Sequence, residues 1–356
     1  MYNFVSLGGT SLNRLKTLNP NINVVEPTDL DDFKKYIDDG YYAIVNGLTN
    51  NQMADWQKYI EYMEQNNIHL FVDALYESNL MRFHLPESLN TKTTLLISNS
   101  YAENHNYFDN VITVPYFLLQ SYILWNALEN KFLNYNDHIG QNKNSFVCLN
   151  GVNKPSRRFV YTYLKEHNLI DDAIFSFVNR HSNDDMISKY PTILLDNDTD
   201  DIGDGVTWDN TYRIDWYLNT HFNLVTESTA ENETSEGYLP VDKLDNAFFP
   251  TEKTFKPIAN SHPFITISDL HFYKNLNKSL GFELYDEIWD YSFDNNVNKE
   301  IRWKEILDQV KYVSKEGIDY EKSKEKLIYN QNLFLDKNRN ENILANFLNQ
   351  IDNTPK

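Results

Sequence analysis

At 356 residues the chain is longer than one hydrophobic core ordinarily serves, so two domains are expected. Hydrophobic residues at 41% and aromatics at 14% can fill those cores, which excludes general disorder. A net charge of -19 repels polyanions and argues against sequence-independent DNA binding, so any anionic ligand must be met by a local basic pocket.

The single cysteine, Cys148, cannot form an internal disulfide, and the opening "MYNFVSLGGTSLNRL" lacks the basic and apolar regions of a secretory leader. No apolar run approaches the ~20 residues that would span a bilayer. These features point to a cytoplasmic protein with no membrane span.

In chain order, the first half reads as short apolar strands alternating with helices. "YNFVSLG" leads into Gly8-Gly9. "YYAIVNG" (41–47) is followed by a helix over "QMADWQKYIEYMEQNN", then by "HLFVDAL" (69–75), "TTLLISNS" (93–100) and "NVITVPYF" (110–117). Strands separated by helical patterns predict a parallel sheet covered on both faces, a Rossmann-like unit. Gly8-Gly9 lacks the third glycine and the spacing of a dinucleotide fingerprint and reads as a tight turn. After an apolar helix near 116–131, the polar segment "NYNDHIGQNKNS" suits an interdomain connection. Domain one is therefore 1–140.

A second alternation, 141–335, runs through "SFVCLNG", a helix over "RRFVYTYLKEHNL", then "AIFSF", "FNLVTES", "PFITIS" and "GFELYD". Helices over roughly 298–314, 319–334 and 339–351 close the chain, with 336–356 set apart as a C-terminal helix. The acidic run "DNDTDDIGDGVTWDN" (196–210) tempts a calcium or Asp-x-Asp metal reading. Ile202 breaks the calcium pattern, and a solvated acidic loop with no metal is the reading adopted.

Three groups carry chemistry. In "NAFFPTEKTFKPIANSHPFITIS", Thr251 reads as an N-cap and Glu252 as a first-turn acid, at a terminus whose N–H groups would attract a diphosphate. Lys253 and Lys256, three apart, can approach one anion, and Glu252 can accept both hydroxyls of a ribose. A solvent-facing, dipole-paired helix start would look the same, and Pro257 should end or bend the helix soon after. In "LNGVNKPSRRF" a strand ends at Asn150, and Lys154, Arg157 and Arg158 bring three positive charges to the start of a helix. That loop follows the carboxyl end of a strand, where open parallel sheets bind ligands. In "FNLVTESTAENE" a strand is followed at its carboxyl end by Thr226, Glu227 and Ser228, where a carboxylate can contact sugar hydroxyls or a ribose.

The combination resembles the donor domain of GT-B glycosyltransferases. The features are a strand ending in Glu-Ser, a "TEK" triplet opening a helix, then a "PFI" strand. The likeness is to fucosyltransferase-like and exostosin-like enzymes and to relatives in phage and large-virus genomes. It covers most of 145–335. The resemblance implies two Rossmann-like domains facing each other across a cleft, the first holding the acceptor. It further implies that Glu252 holds the ribose of a nucleotide-sugar donor, Lys253 and Arg157 its diphosphate, and Thr226 to Ser228 its sugar. No cofactor is implied beyond that donor substrate.

The implied reaction moves a sugar to a hydroxyl of a glycan or other acceptor, metal-independent and inverting. Basic groups stabilise the leaving diphosphate, and an acidic residue of the first half deprotonates the acceptor. Asp73, after "HLFV", is the candidate base, with Glu77 next; His69, His221 and His262 read as packed or capping residues. Two alternatives stand beside this: a phage DNA-modifying glycosyltransferase acting on hydroxymethylated bases, against which the charge argues, and a nucleotide-sugar-binding protein without catalysis.

Overall fold

The computed structural model of the chain describes residues 1–8, 10–46, 50–75, 92–98, 109–127, 132–139, 144–150, 153–177, 193, 214–227 and 248–354. Apolar runs such as "NFVSL" and "FVCL" place hydrophobic side chains at successive positions, as a strand buried on both faces requires. Among the described residues ten strands form two sheets, parallel throughout, in two units.

The first unit comprises the described residues of 1–123 and 337–354. Its strands are β1 (Tyr2–Leu7), β2 (Ile22–Val25), β3 (Tyr42–Asn46), β4 (Leu70–Ala74), β5 (Thr93–Ser98) and β6 (Asn110–Val114), in the order β2-β1-β3-β4-β5-β6. Helices α1 (Leu12–Leu15), α2 (Leu30–Asp38) and α3 (Asn50–Gln65) connect the first four. Asp29 caps α2 by accepting from the Asp32 amide, and the single inward stripe of that helix buries Phe33. Phe33 joins Tyr59, Ile60 and Met63 of α3 against Val5, Leu7, Val45 and Val72 of the sheet. The opposite sheet face carries Phe4, Tyr42 and Phe71, whose rings meet at centroid distances of 5.6 and 5.5 Å.

In the second unit β7 (Asn144–Asn150), β8 (Ala173–Phe177), β9 (Thr220–Thr226) and β10 (Phe264–Ile267) take the order β10-β9-β7-β8. Helix α4 (Tyr116–Ala127) carries the chain into this unit, followed by α5 (Pro155–Glu166), α6 (Ile214–Leu218), α7 (Glu252–Ala259), α8 (Phe272–Leu280), α9 (Lys299–Glu316) and α10 (Lys324–Leu335). Phe146 stacks on Phe222 at 5.4 Å, Trp289 meets Phe222 edge-on, and Phe255 of α7 stacks on Phe334 of α10. The last helix, α11 (Lys337–Asp352), returns to the first unit and packs against β6.

One expected strand is absent. "GFELYD" begins at Gly281, which ends α8 in the left-handed conformation (φ +76°), and it joins no sheet. The side chain of Asn330 replaces a neighbouring strand: its Oδ1 accepts from the Glu283 amide and its Nδ2 donates to the Glu283 carbonyl, both at 2.8 Å. Five elements that the strand and helix patterns left unread, α1, β2, α2, α6 and α8, complete the fold. Among the described residues no helix is long and apolar enough to cross a membrane.

Candidate functional site

In the second sheet the chain order reverses between β7 and β9, since β8 lies on one side of β7 and β9 with β10 on the other. Ligands of open α/β sheets bind beyond the carboxyl ends of the strands at such a switch point. Asn150 ends β7 and Thr226 ends β9. The Thr226 hydroxyl donates to Asn150 Oδ1 at 2.7 Å, and Asn150 Nδ2 donates to the Ser176 carbonyl of β8 at 3.1 Å. The Asn150 amide reaches Ser176 Oγ. Asn150, whose position at a strand end made it a substrate-binding candidate, and Thr226, the expected sugar contact, are both fully buried and tie three strands into one edge.

Glu227, one residue past Thr226, points to the other face of the sheet, as the two-residue period of a strand requires. It is fully buried. Its Oε1 accepts from the Thr251 amide at 2.9 Å and the Thr254 hydroxyl at 2.6 Å, and its Oε2 from the Thr251 hydroxyl at 2.6 Å. Thr251 is the N-cap of α7, as read from the sequence, and its Oγ1 accepts from the Lys253 amide. The expectation that exposed N–H groups at this terminus await a diphosphate is therefore corrected. Thr251 and Glu227 already engage that end, and the anion seated there is the protein's own carboxylate.

What α7 presents instead is a cluster of charged side chains. Lys253 Nζ lies 2.5 Å from Glu252 Oε1 and 3.2 Å from Thr251 Oγ1, with Glu252 and Lys253 side chains retaining 24% and 28% of their exposure. Lys256 sits one turn on and is also half-buried. Burial pushes the Glu252 carboxyl up, but the ammonium groups of Lys253 and Lys256 outweigh it and hold the group below the ordinary Glu value. Burial, with Lys253 beside it, brings Lys256 down to about 8 against the pull of Glu252. Two ammonium groups thus flank the Glu252 carboxylate, with the Glu227 carboxylate one contact away through Thr251. The helix continues through Pro257 and stops two residues later, after Ala259.

The second basic group flanks the same edge from the opposite face. Pro155 at the first turn starts α5 with Lys154 as its extended N-cap residue. Arg157, 3% exposed, lies close enough to Cys148 to act on its thiol, and Cys148, Asn150 and Thr226 share the sheet face away from Glu227. Arg158 turns back to Asn153 Oδ1 at 3.0 Å. The three positive charges of this loop thus diverge: Arg157 inward, Arg158 onto the loop, and Lys154 half-buried at the helix start. Burial pushes the Cys148 thiol up to about 12, against Asn150 and Arg157, so it is not a nucleophile at neutral pH.

Asp73 is the penultimate residue of β4 in the first unit and is 1% exposed. Thr10 Oγ1 and the Ser11 amide donate to its Oδ2 at 2.5 and 2.6 Å, and the Leu75 amide to its Oδ1 at 3.0 Å. Burial pushes its carboxyl up, against these bonds. A carboxylate so enclosed is built to hold the turn after β1 and is poorly placed to reach a substrate hydroxyl. Next to it Gly8 adopts φ +84° under the Trp56 indole, a contact that the tight-turn reading of Gly8-Gly9 did not include. His69 pairs with Thr94 Oγ1 at 2.7 Å and His262 with the Thr220 carbonyl at 2.9 Å, as packed histidines do.

Ser228, Glu77 and the acidic run 196–210 lie outside the described residues. Thr254 and Ser176 were not singled out from the sequence. A threonine at the third position of a capped helix was the available signal for the first, and Ser176 carries none. Among the described residues no group of three His, Cys, Asp or Glu side chains is placed to hold a metal ion. No family model matches the chain, and no curated protein or solved structure is found to be similar to it.

Proposed function

We propose that the chain is a GT-B glycosyltransferase, which binds a nucleotide-sugar in its second unit and transfers the sugar to a hydroxyl of a glycan or other acceptor without a metal ion and with inversion. The observation that carries this reading is the Glu252, Lys253 and Lys256 cluster on α7, beside the switch point of the second sheet. Ammonium groups held in place before the reaction stabilise a leaving diphosphate without metal, because no reorganisation is needed as charge develops. Glu252, kept ionised by its two lysines, is an acceptor suited to a ribose diol. The likeness of "FNLVTES", "TEKTF" and "PFITIS" to donor-domain motifs supports the same assignment.

A second reading is a nucleotide-sugar-binding protein without transfer. The burial and full engagement of Asp73 favours it, since the proposed base is spent on Thr10, Ser11 and Leu75. One experiment separates these readings. The protein is screened with the common nucleotide-sugars for thermal stabilisation and, with glycan acceptors, for release of nucleoside diphosphate. A ligand at a hundredfold its Kd stabilises the unit it binds by about 2.7 kcal/mol. Stabilisation with release supports transfer, stabilisation alone supports binding only, and no response to any nucleotide-sugar overturns both.

A further inference from the structure

The ammonium of Lys253 is held by more than its ion pair. A carboxylate can only accept hydrogen bonds, so at Glu227 Oε2 the Thr251 hydroxyl spends its single proton. Its lone pairs are then turned toward α7, where they receive the Lys253 amide at 3.4 Å and Lys253 Nζ at 3.2 Å. Nζ completes its setting on Glu252 Oε1. Three consecutive contacts therefore run from the end of β9 to the charged cluster: Glu227 to Thr251, Thr251 to Lys253, and Lys253 to Glu252. Oε1 of the same carboxylate holds the Thr251 amide and the Thr254 hydroxyl, which ties the first turn of α7 independently of Oε2.

We infer that Glu227 is a positioning residue: it orients the Thr251 hydroxyl, and through it fixes the Lys253 ammonium beside Glu252 in the attitude that receives a phosphate ligand. The last clause rests on reading α7 as the donor site; the orientation of Lys253 does not. The arrangement also reassigns Glu227 from touching a sugar to setting the charge that meets the diphosphate.

Glu227→Gln tests this at constant volume. Its amide Oε1 can keep the Thr251 amide and the Thr254 hydroxyl. Its NH2 replaces Oε2 and donates, so the Thr251 hydroxyl must accept there and turn its proton toward the lysine. Thr251→Val removes the same relay while leaving the carboxylate in place, and Thr251→Ser restores it. Two readouts are taken on the full chain. In the ligand-free protein, acylation of Lys253 by a succinimidyl ester is followed by peptide mass spectrometry, with the exposed Lys278 as internal reference.

Release of one charge-assisted hydrogen bond should raise the Lys253 rate about tenfold in Glu227→Gln and Thr251→Val, and not in Thr251→Ser. By calorimetry the affinity for inorganic pyrophosphate should fall about tenfold in the first two variants and recover in the third. A Lys253 rate unchanged in both Glu227→Gln and Thr251→Val overturns the inference, whatever pyrophosphate does. A raised rate in the two variants, together with a wild-type protein that does not bind pyrophosphate, upholds the positioning role and overturns the donor-site reading.

Discussion

Lys256 keeps its proton only narrowly, because burial and Lys253 oppose the charge while Glu252 favours it, with the balance near pH 8. An unfolded lysine titrates near 10.4, so the unfolded chain binds more protons between about 8 and 10.4, and this residue's contribution to stability rises with pH in that window. Anion binding runs the other way. The ammonium is present below about 8 and lost above it, so affinity for pyrophosphate should carry a decline through pH 8 that Lys256→Met removes. Calorimetric titrations of both proteins from pH 7 to 9 check this, and parallel profiles would take Lys256 out of the site. Gly8 makes a second case at this scale. A Cβ there would lie 2.6 Å from Trp56 Cζ2 and 2.9 Å from Cη2, at φ +84°. Gly8→Ala should cost about 2–4 kcal/mol from strain and overpacking together. Adding Trp56→Ala should recover only the packing part, read as partial return of the urea midpoint relative to Trp56→Ala alone.

Elements were legible where one local pattern decided them. The apolar runs that became β1, β3 to β10 announce strands buried on both faces, and "PTEK" announces the capped start of α7, because strand and cap signals are contained within a few residues. "GFELYD" has the same look and forms no ladder: the amide and carbonyl of Glu283 at its centre are satisfied by Asn330, 47 positions away in the chain. The four residues of β2 are too few to show a period, and only their pairing with β1 makes them a strand. The candidate site divides in the same way. The Glu252, Lys253 and Lys256 grouping lies on one short helix and could be read directly, whereas the partner of Glu227 is 24 residues on, and burial alone distinguishes a carboxylate that anchors α7 from one that meets a ligand. Asn330 gives the element its test. Asn330→Ala should cost about 1–2 kcal/mol by leaving the Glu283 amide and carbonyl without protein partners, and hydrogen exchange at the Glu283 amide should quicken with it. Unchanged exchange there would show that solvent serves this segment equally well.

For the molecule as a whole, the return of α11 decides which stretches of sequence fold together. The helix buries Leu344, Phe347, Leu348 and Ile351, packs against β6, and sets Asp352 Oδ1 2.8 Å from the Tyr42 hydroxyl on the sheet face that also carries Phe4 and Phe71. Burial and then Asp352 hold the Tyr42 phenol well above its ordinary range, so its hydroxyl keeps the proton it donates to Asp352 throughout the physiological range. Four apolar side chains at about 1.5–3 kcal/mol each approach the entire stability of about 5–15 kcal/mol that a domain ordinarily has. The first unit should therefore not survive loss of α11, while the second, which ends at Asp336, keeps all of its own strands and the α7 cluster. Deleting 337–356 should abolish the calorimetric unfolding transition of the first unit and leave that of the second, together with its affinity for pyrophosphate. Tyr42→Phe, which removes one hydrogen bond from the same interface, should lower the first transition by about 1 kcal/mol and leave the second in place. If the truncated chain instead keeps a first-unit transition at its original temperature, the sheet does not depend on α11. Loss of both transitions would show that the second unit cannot stand without the first.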